Sequence, residues 1–249
     1  MPPDRAQQRR GQTEREPVDR HRLGQIASGV AFLAICAIAV LIVVSQAGGG
    51  SGGDANLEDV AFVRHELAGL AQHGTVLGDP NAGVKVIEYA DLQCPICADL
   101  ATEVAPNLIS RDVRRGVASY DLRQWTVIGE PPHAQSTAAA KAALAASEQG
   151  RYWNYVELFY RNQGTEESGY VTRQFLTAIA KGAGVRDIPK WNRDRRSGSW
   201  SPVLARTSAE AQSLGLGGTP SVVVAGPGGR QILTAPDFDD LENAIQAVD

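Results

Sequence analysis

The residues in this sequence best suited to chemistry are Cys94 and Cys97, which are separated by Pro95 and Ile96. In a helix, this spacing places both sulfurs on the first turn, close enough to form a small disulfide ring or to share a metal ion. Backbone N–H groups and the positive end of the helix dipole stabilise a thiolate at the first of two such positions. We therefore predict that Cys94 is the nucleophile and that Cys97 resolves a mixed disulfide by attacking the sulfur of Cys94.

The segments around the cysteine pair predict a strand, a short loop and a helix. Residues 84–89 (VKVIEY) are rich in β-forming types and predict a buried strand. Apolar residues then recur at every fourth position from Ile96 to Leu108, which predicts one apolar helix face. We expect Pro106 to kink this helix without ending it, and Gly116 to end it.

The remaining pattern predicts an α/β fold with a block of helices inserted into the sheet. A lead-in helix is expected over 56–71 because apolar residues follow helical spacing up to Gly74. The other predicted elements are a strand over 117–128, helices over 134–149, 152–160, 171–183 and 202–214 within an insertion at about 129–215, a hairpin of strands 221–225 and 230–233, and a helix over 238–248. The four tryptophans, Trp125, Trp153, Trp191 and Trp200, are interpreted as packing residues.

Composition narrows the class of protein. The chain has 249 residues, a net charge of −4 and a sequence pI of about 5.6, so it has no basic field to attract nucleic acid. With 43% hydrophobic and 21% charged residues it is a folding chain, long enough for one α/β domain with attachments. Three cysteines are too few for a disulfide scaffold, so the spacing of one pair matters more than their number.

The N-terminal segment predicts a membrane anchor. Residues 29–44 carry no polar side chain, and with their flanks they give a transmembrane helix over 23–45. Six arginines lie in the preceding tail, 1–22, so we expect a cytoplasmic N-terminus, a signal-anchor in the cell membrane and an extracytoplasmic catalytic domain over 74–249. Residues 46–73 then form a Gly/Ser linker and the lead-in helix. A cleaved signal peptide with its site near 45–47 is the alternative; Cys36 is interpreted as an apolar residue of the span.

A metal site is the main alternative chemistry for the cysteine pair. Structural zinc needs two further ligands, but His65, His73 and His133 form no paired motif. The one methionine is the initiator, so the chain cannot form a copper site of thioether ligands. We therefore predict no metal and no cofactor, and keep a tethered Cu(I) metallochaperone as an alternative function.

Three stretches together resemble the DsbA-like thiol:disulfide oxidoreductases, a branch of the thioredoxin fold. They are VIEYADLQCPICADL around Cys94, AAKAALAASEQGRYW in the predicted insertion, and GLGGTPSVVV near the end. The resemblance covers roughly residues 74–248. It implies a thioredoxin fold with a DsbA-like helical insertion.

The resemblance also implies roles for individual residues. It places the catalytic pair on Cys94 and Cys97, a cis-proline that presents backbone to an extended substrate on Pro220 after Thr219, and a buried acid on Glu88 that exchanges a proton with Cys97. Pro95 and Ile96 stand where strongly oxidising members carry a histidine, so we expect a milder oxidant than the extreme case of about −120 mV. Pro95 and Ile96 are predicted to contact the substrate, and an exposed Ile96 would help to bind unfolded chains. Asp91 is interpreted as a solvated loop acid.

The predicted function is a membrane-tethered protein disulfide oxidase that serves protein folding. Its substrates would be cysteine-containing secreted or envelope proteins, and the resemblance suggests re-oxidation by a membrane partner of DsbB or VKOR type. A reductase or isomerase of the same fold would run the same chemistry in the other direction. A non-enzymatic adaptor that merely holds peptides is a further alternative, as is the metallochaperone.

Overall fold

A computed structural model describes residues 57–131 and 133–249. The predicted tail, transmembrane helix and Gly/Ser linker lie outside these residues, so their prediction stays open. The described residues form one compact unit by their contacts. No helix within the two described ranges combines the length and the apolar character needed to cross a bilayer.

The unit is built on a mixed sheet that places the redox segment at the end of its central strand. The strands are β1 Gln72–His73, β2 Val76–Leu77, β3 Val84–Ala90, β4 Ala118–Gln124, β5 Ser221–Gly226 and β6 Gly229–Thr234, in the order β1-β2-β4-β3-β5-β6. β3 pairs in parallel with β4 and antiparallel with β5. The strand that leads into Cys94 is therefore hydrogen-bonded on both sides.

Alternation along the central strands assigns the residues to two faces of the sheet. Side chains in a strand point to opposite faces in turn. Val84, Val86 and Ala90 belong to the main core, whereas Ile87 and Tyr89 pack in a smaller cluster that contains Trp125. Glu88 shares the face of the first set, because its position is even-numbered like theirs. That face is the one on which the core includes Cys97.

The helix that starts at the cysteine pair, α2, runs continuously over residues 95–113. Its segments are Pro95–Asp99, the π-helical turn Leu100–Val104, Ala105–Leu108 and a second π-helical turn Ile109–Val113. The N–H of Ala105 bonds to the carbonyl of Leu100, five residues earlier, just before Pro106. The helix thus continues past Pro106 as predicted, and Gly116 follows it at φ 75°.

A block of helices separates β4 from β5, as the sequence predicts. The helices are α3 Ala134–Ser147, α4 Tyr152–Arg161, α5 Arg173–Gly182, α6 Ile188–Asp194 and α7 Ser201–Ser213, with a 3₁₀ turn at Gly198–Trp200 before α7. The insertion has its own aromatic packing: Tyr155 lies 6.1 Å from Trp191 and Phe159 lies 5.2 Å from Phe175 between ring centroids. The final helix, α8 Phe238–Val248, has the predicted bounds and starts with a capping box of Asp237 and Asp240.

Three local predictions need correction. The lead-in helix, α1, covers only Val60–Glu66; residues 67–71 form no regular structure, and the hairpin of β1 and β2 follows them. This hairpin joins the sheet through β4 and begins two residues before the predicted domain start at Gly74. Helix α6 was not expected; it begins where the Asp187 side chain accepts a hydrogen bond from the N–H of Lys190. The strand predicted over 117–128 is shorter, since β4 ends at Gln124.

Candidate active site

Cys94 is the N-cap residue of α2, and Pro95 occupies the first helical position. A proline there is favourable because its missing N–H has no partner to lose. Cys94 has extended backbone angles, φ −71° and ψ 119°, and its N–H bonds to the carbonyl of Asp91 at 3.0 Å. No side chain caps this end of the helix. The free N–H groups of the first turn are thus available to the Cys94 sulfur.

The surroundings of Cys94 favour its thiolate. Its pKa falls from 9.0 to about 6, chiefly because the Cys97 thiol donates a hydrogen bond to the Cys94 sulfur. Burial opposes this shift, while the Thr219 side chain and the N–H groups of Cys97 and Ile96 add to it. A thiol with this pKa is ionised at neutral pH and is a ready nucleophile.

Cys97 lies one turn further into the helix and has the opposite character. It is fully buried, and its pKa rises well above 9.0 because burial disfavours the thiolate and because its proton is donated to Cys94. The negative charge of Glu88 raises it further. Both cysteines are free thiols in this structure. The pair therefore consists of one acidic thiol and one thiol that keeps its proton.

Glu88 is fully buried on the face of β3 that looks toward the cysteines. Its pKa is raised from 4.5 to about 7, chiefly by burial. The hydrogen bond from Tyr120 acts against this shift, and the negative charge of Cys94 adds to it. The Tyr120 hydroxyl donates to Glu88 Oε2, whereas Oε1 has no hydrogen-bond partner. A carboxyl that titrates near neutral pH beside a buried thiol is suited to exchange a proton with it. The structure thus brings Glu88 to the cysteines, as the resemblance implied.

The loop before β5 completes the site. The peptide bond between Thr219 and Pro220 is cis, as expected from the resemblance. Cys94 Sγ lies 3.4 Å from the carbonyl oxygen of Thr219, so residues far apart in the sequence meet at the sulfur. Ile96 is 51% exposed beside the buried sulfurs and forms the apolar surface predicted for it.

Asp91 corrects the sequence interpretation, because it is not solvated. It is only 1% exposed, and its carboxylate takes part in the architecture of the loop. The carboxylate accepts three backbone hydrogen bonds, from Gln93 at 2.9 Å, Val127 at 2.8 Å and Ile128 at 3.0 Å. These N–H groups satisfy the buried carboxylate oxygens, and they tie the redox loop to the segment that follows β4.

Three residues at the site were missed by sequence reasoning. Tyr120 is the partner of Glu88, and the side chains of Gln93 and Gln163 bind the backbone or side chains around the redox loop. Gln163 lies 69 positions from Cys94, so no local pattern connects the two. Only the position of Gln93, directly before the nucleophile, offered a signal.

A second group of buried ionisable residues lies away from the cysteines, between α1 and α4. This α1/α4 charged cluster consists of Glu66, Glu157 and Arg161. Arg161 Nη2 lies 3.6 Å from Glu157 Oε2 and 3.9 Å from Glu66 Oε2. Burial raises the pKa of both carboxyls.

Within the described ranges, no group of three or more His, Cys, Asp or Glu side chains is placed to hold a metal ion.

The fold and the site together define a class of protein. A thioredoxin-like sheet with a helical insertion carries an acidic thiol and a proton-retaining thiol at the start of a helix, next to a cis-proline. This combination is that of a DsbA-like thiol:disulfide oxidoreductase.

Comparison with known proteins agrees with this class. The family model described as thioredoxin matches residues 71–247, and the chain belongs to this family. "Probable disulfide bond formation protein D" of Bacillus cereus is 29% identical over 170 residues, which cover 68% of this chain and 76% of the relative.

Solved structures are also similar to the chain, among them the following two. A thioredoxin-like oxidoreductase from Silicibacter pomeroyi DSS-3 has 28% identity and a TM-score of 0.57, with 77% of this chain and 96% of that chain covered. Oxidised BdbD from Bacillus subtilis has a TM-score of 0.61 at 20% identity, over 70% of this chain and 91% of its own length. At that identity, the likeness to BdbD supports the fold alone.

Proposed function

We propose that this protein introduces disulfide bonds into secreted or envelope proteins through Cys94 and Cys97. The observation that carries the proposal is the opposite acidity of two thiols one turn apart, with the Cys94 pKa lowered to about 6 and that of Cys97 raised. A stabilised thiolate at Cys94 favours the reduced enzyme, which makes its disulfide an oxidant. The Bacillus cereus relative is named as a probable disulfide bond formation protein, which supports oxidation of the substrate and not its reduction.

The reaction starts from the oxidised pair. A substrate thiolate attacks the Cys94 sulfur, the Cys94–Cys97 bond breaks, and Cys97 leaves as a thiolate that takes a proton from Glu88. A second substrate thiolate then attacks the substrate sulfur of the mixed disulfide, and Cys94 leaves as a thiolate. Two electrons have passed from the substrate dithiol to the enzyme. On re-oxidation, Cys97 returns its proton to Glu88.

The substrate would lie in an extended form along the cis-proline loop. Thr219 and Pro220 present backbone next to the Cys94 sulfur, and Ile96 provides exposed apolar surface beside it. Unfolded chains expose apolar side chains, so this surface suits them better than it suits a small thiol. Pro95 occupies the first position of the helix, and no side chain caps this end.

The membrane location is part of the proposal and rests on sequence. A signal-anchor over 23–45 with arginines before it would hold the catalytic domain on the extracytoplasmic side. A quinone-linked re-oxidase of DsbB or VKOR type in the same membrane would then regenerate the disulfide. The full-length chain should remain in the membrane fraction at alkaline pH, and a chain lacking residues 1–45 should not; recovery of the full-length chain in the soluble fraction would contradict the anchor.

A trapping experiment tests the oxidase function. In the Cys97→Ala variant, Cys94 should stay joined to its substrates by a mixed disulfide. When the isolated complexes are reduced, they should release cysteine-containing secreted or envelope proteins. The matched control, Cys94→Ala with Cys97→Ala, should recover none. Alkylation of wild-type cells should find Cys94 largely oxidised at rest; a resting dithiol would instead support the reductase or isomerase.

A further inference from the structure

Two glutamine side chains connect the redox segment to the helical insertion. Gln93 directly precedes Cys94, and Gln163 follows the end of α4. Gln93 lies in the redox loop and binds the insertion, whereas Gln163 lies in the insertion and binds the redox loop. The sheet and α2 therefore do not position the nucleophile by themselves.

Gln163 holds the backbone on both sides of Gln93. Its Nε2 donates to the carbonyl of Leu92 at 2.8 Å and to the carbonyl of Cys94 at 3.2 Å. An amide nitrogen has two hydrogens, so both donors of Gln163 are used here. An apolar side chain would leave both carbonyls without this partner.

Gln93 makes the reciprocal connection from the loop. Its buried side chain donates through Nε2 to Ser136 Oγ of α3 at 3.0 Å, and its Oε1 accepts from the N–H of Glu167 at 3.2 Å. Ser136 Oγ in turn lies 3.4 Å from the carbonyl of Ile128. The side chain thus links the loop to two separate parts of the insertion.

These contacts bear on chemistry because the acidity of Cys94 depends on short-range geometry. The thiolate gains most of its stabilisation from the hydrogen bond of the Cys97 thiol, and more from the Thr219 side chain and the N–H groups of Cys97 and Ile96. Hydrogen bonds weaken steeply when distance and angle change, and functional groups need positions fixed to within about 0.5 Å. The main-chain bond from Cys94 to Asp91 fixes the N–H side of the residue, and Gln163 fixes the carbonyl side.

We propose that Gln163 and Gln93 are positioning residues through which the helical insertion sets the oxidising strength of the Cys94–Cys97 pair. The inference rests on the proposed function, since it concerns the same redox pair. It assigns the insertion a part in redox chemistry besides covering the sheet.

The test compares two glutamines with the same kind of bonding. Gln163→Leu removes the contacts to the redox loop. Gln149→Leu is the matched control, because Gln149 Nε2 donates to the carbonyl of Asp187 at 3.0 Å and its Oε1 accepts from the N–H of Asp187 at 2.9 Å, inside the insertion. For each full-length protein in detergent, one measures the equilibrium with glutathione, the thiolate absorbance at 240 nm against pH, and thermal unfolding.

We expect Gln163→Leu to lower the equilibrium constant for oxidation of glutathione by about threefold to tenfold, and to move thiolate formation to higher pH. Gln163→Asn keeps the amide but is one methylene shorter, so it should fold readily and change both quantities in the same direction. Gln149→Leu should lower thermal stability and leave both redox quantities at their wild-type values.

The proposal is overturned if the folded Gln163 variants keep the wild-type equilibrium constant and thiolate titration, or if Gln149→Leu changes them equally. The first result would show that Gln163 does not act on the redox pair, and the second that its effect is not specific to its contacts with the redox loop. A wild-type protein that exchanges no disulfide with glutathione would refute the proposed function instead, so the two failures are separable.

Discussion

Two regions of this protein bury ionisable side chains, and the net pKa shifts in the two regions have opposite directions. At the first turn of α2, hydrogen-bond donors lower the pKa of Cys94 to about 6 although burial opposes them. In the α1/α4 charged cluster, Glu66 and Glu157 face Arg161 at 3.9 and 3.6 Å, and burial raises the pKa of both carboxyls. Burial alone therefore does not create a reactive group. The number and geometry of the donors decide which protonation state is favoured.

The two regions also differ in how completely their polar atoms are satisfied. The Asp91 carboxylate in the redox loop accepts three backbone N–H groups. In the charged cluster, both oxygens of Glu66, Oε2 of Glu157, and Nε and Nη2 of Arg161 are buried without a hydrogen bond. In the redox region Glu88 Oε1 is likewise buried without a partner, but the charged cluster has more such atoms, and its ion pairs offset their desolvation cost only in part.

The largest effect is expected from the nucleophile. Cys94→Ser should lower thiol–disulfide exchange with a reduced protein substrate by at least about a thousandfold, because a serine hydroxyl forms no mixed disulfide. Cys36→Ser is the control and should leave the rate unchanged. The rate is measured by alkylation of the remaining substrate thiols. Residual exchange above a tenth of the wild-type rate would mean that Cys97 can replace Cys94. That result would contradict the assignment of Cys94 as the only nucleophile of the pair.

The charged cluster should respond in stability and not in redox chemistry. Arg161→Met leaves two buried carboxyls without their cation and should cost about 3–5 kcal/mol of unfolding free energy at pH 8. The cost should be smaller at pH 5, where the carboxyls can take up protons. The glutathione equilibrium of the folded variant should match wild type.

Lys190→Met serves as its control. Lys190 and Asp194 form an exposed pair at 2.6 Å, so the denaturation midpoint should not move. A large change in the redox equilibrium of Arg161→Met would show that the cluster and the redox site are coupled.

Glu88 belongs to the redox region, but its effect on the unfolding free energy should depend on pH as expected for a buried carboxyl with a raised pKa. The unfolded chain releases this proton near pH 4.5 and the folded chain near 7, so the contribution of Glu88 to stability is present below pH 4.5 and is lost as the pH rises to 7. Glu88→Gln keeps an acceptor for Tyr120 and removes the titration. It should raise the unfolding free energy of the reduced protein by about 3 kcal/mol at pH 8 and leave it nearly unchanged at pH 4. Denaturant titrations at both pH values measure this; a gain of equal size at both would exclude the raised pKa.

The smallest effect is expected from the exposed surface beside the sulfurs. Ile96→Ser should lower kcat/KM for an unfolded protein substrate by about threefold to tenfold, since one apolar contact is lost. The equilibrium with glutathione should not change. Ile232→Ser is a matched control, because Ile232 is 43% exposed on β6, at the edge of the sheet. Equal losses in both variants would argue against a specific substrate surface at Ile96.

The sequence predicted best the elements whose signals are local. Strand β3, the helix from Pro95 through Pro106, the β5–β6 hairpin and α8 follow from period, turn residues and caps. The hairpin of β1 and β2 was missed because strands of two residues are too short to show a period.

The assignment of Asp91 failed for a different reason. An acid in a polar loop is usually solvated, but here the end of β4 brings two backbone N–H groups to its carboxylate. Those groups are 36 and 37 residues away along the chain. Gln163 was missed in the same way. Its neighbours in sequence give no indication that its amide lies against the carbonyl of Cys94.

The sequence by itself determined that two thiols lie one turn apart at the start of a helix, because residue spacing, Pro95 and the apolar period act over a few residues. It also determined the chain's resemblance to a redox family. Only the tertiary structure decided which groups surround the sulfurs. Acidity depends on atoms within a few ångströms, and Thr219, Glu88 and Gln163 reach Cys94 or Cys97 from separate parts of the chain.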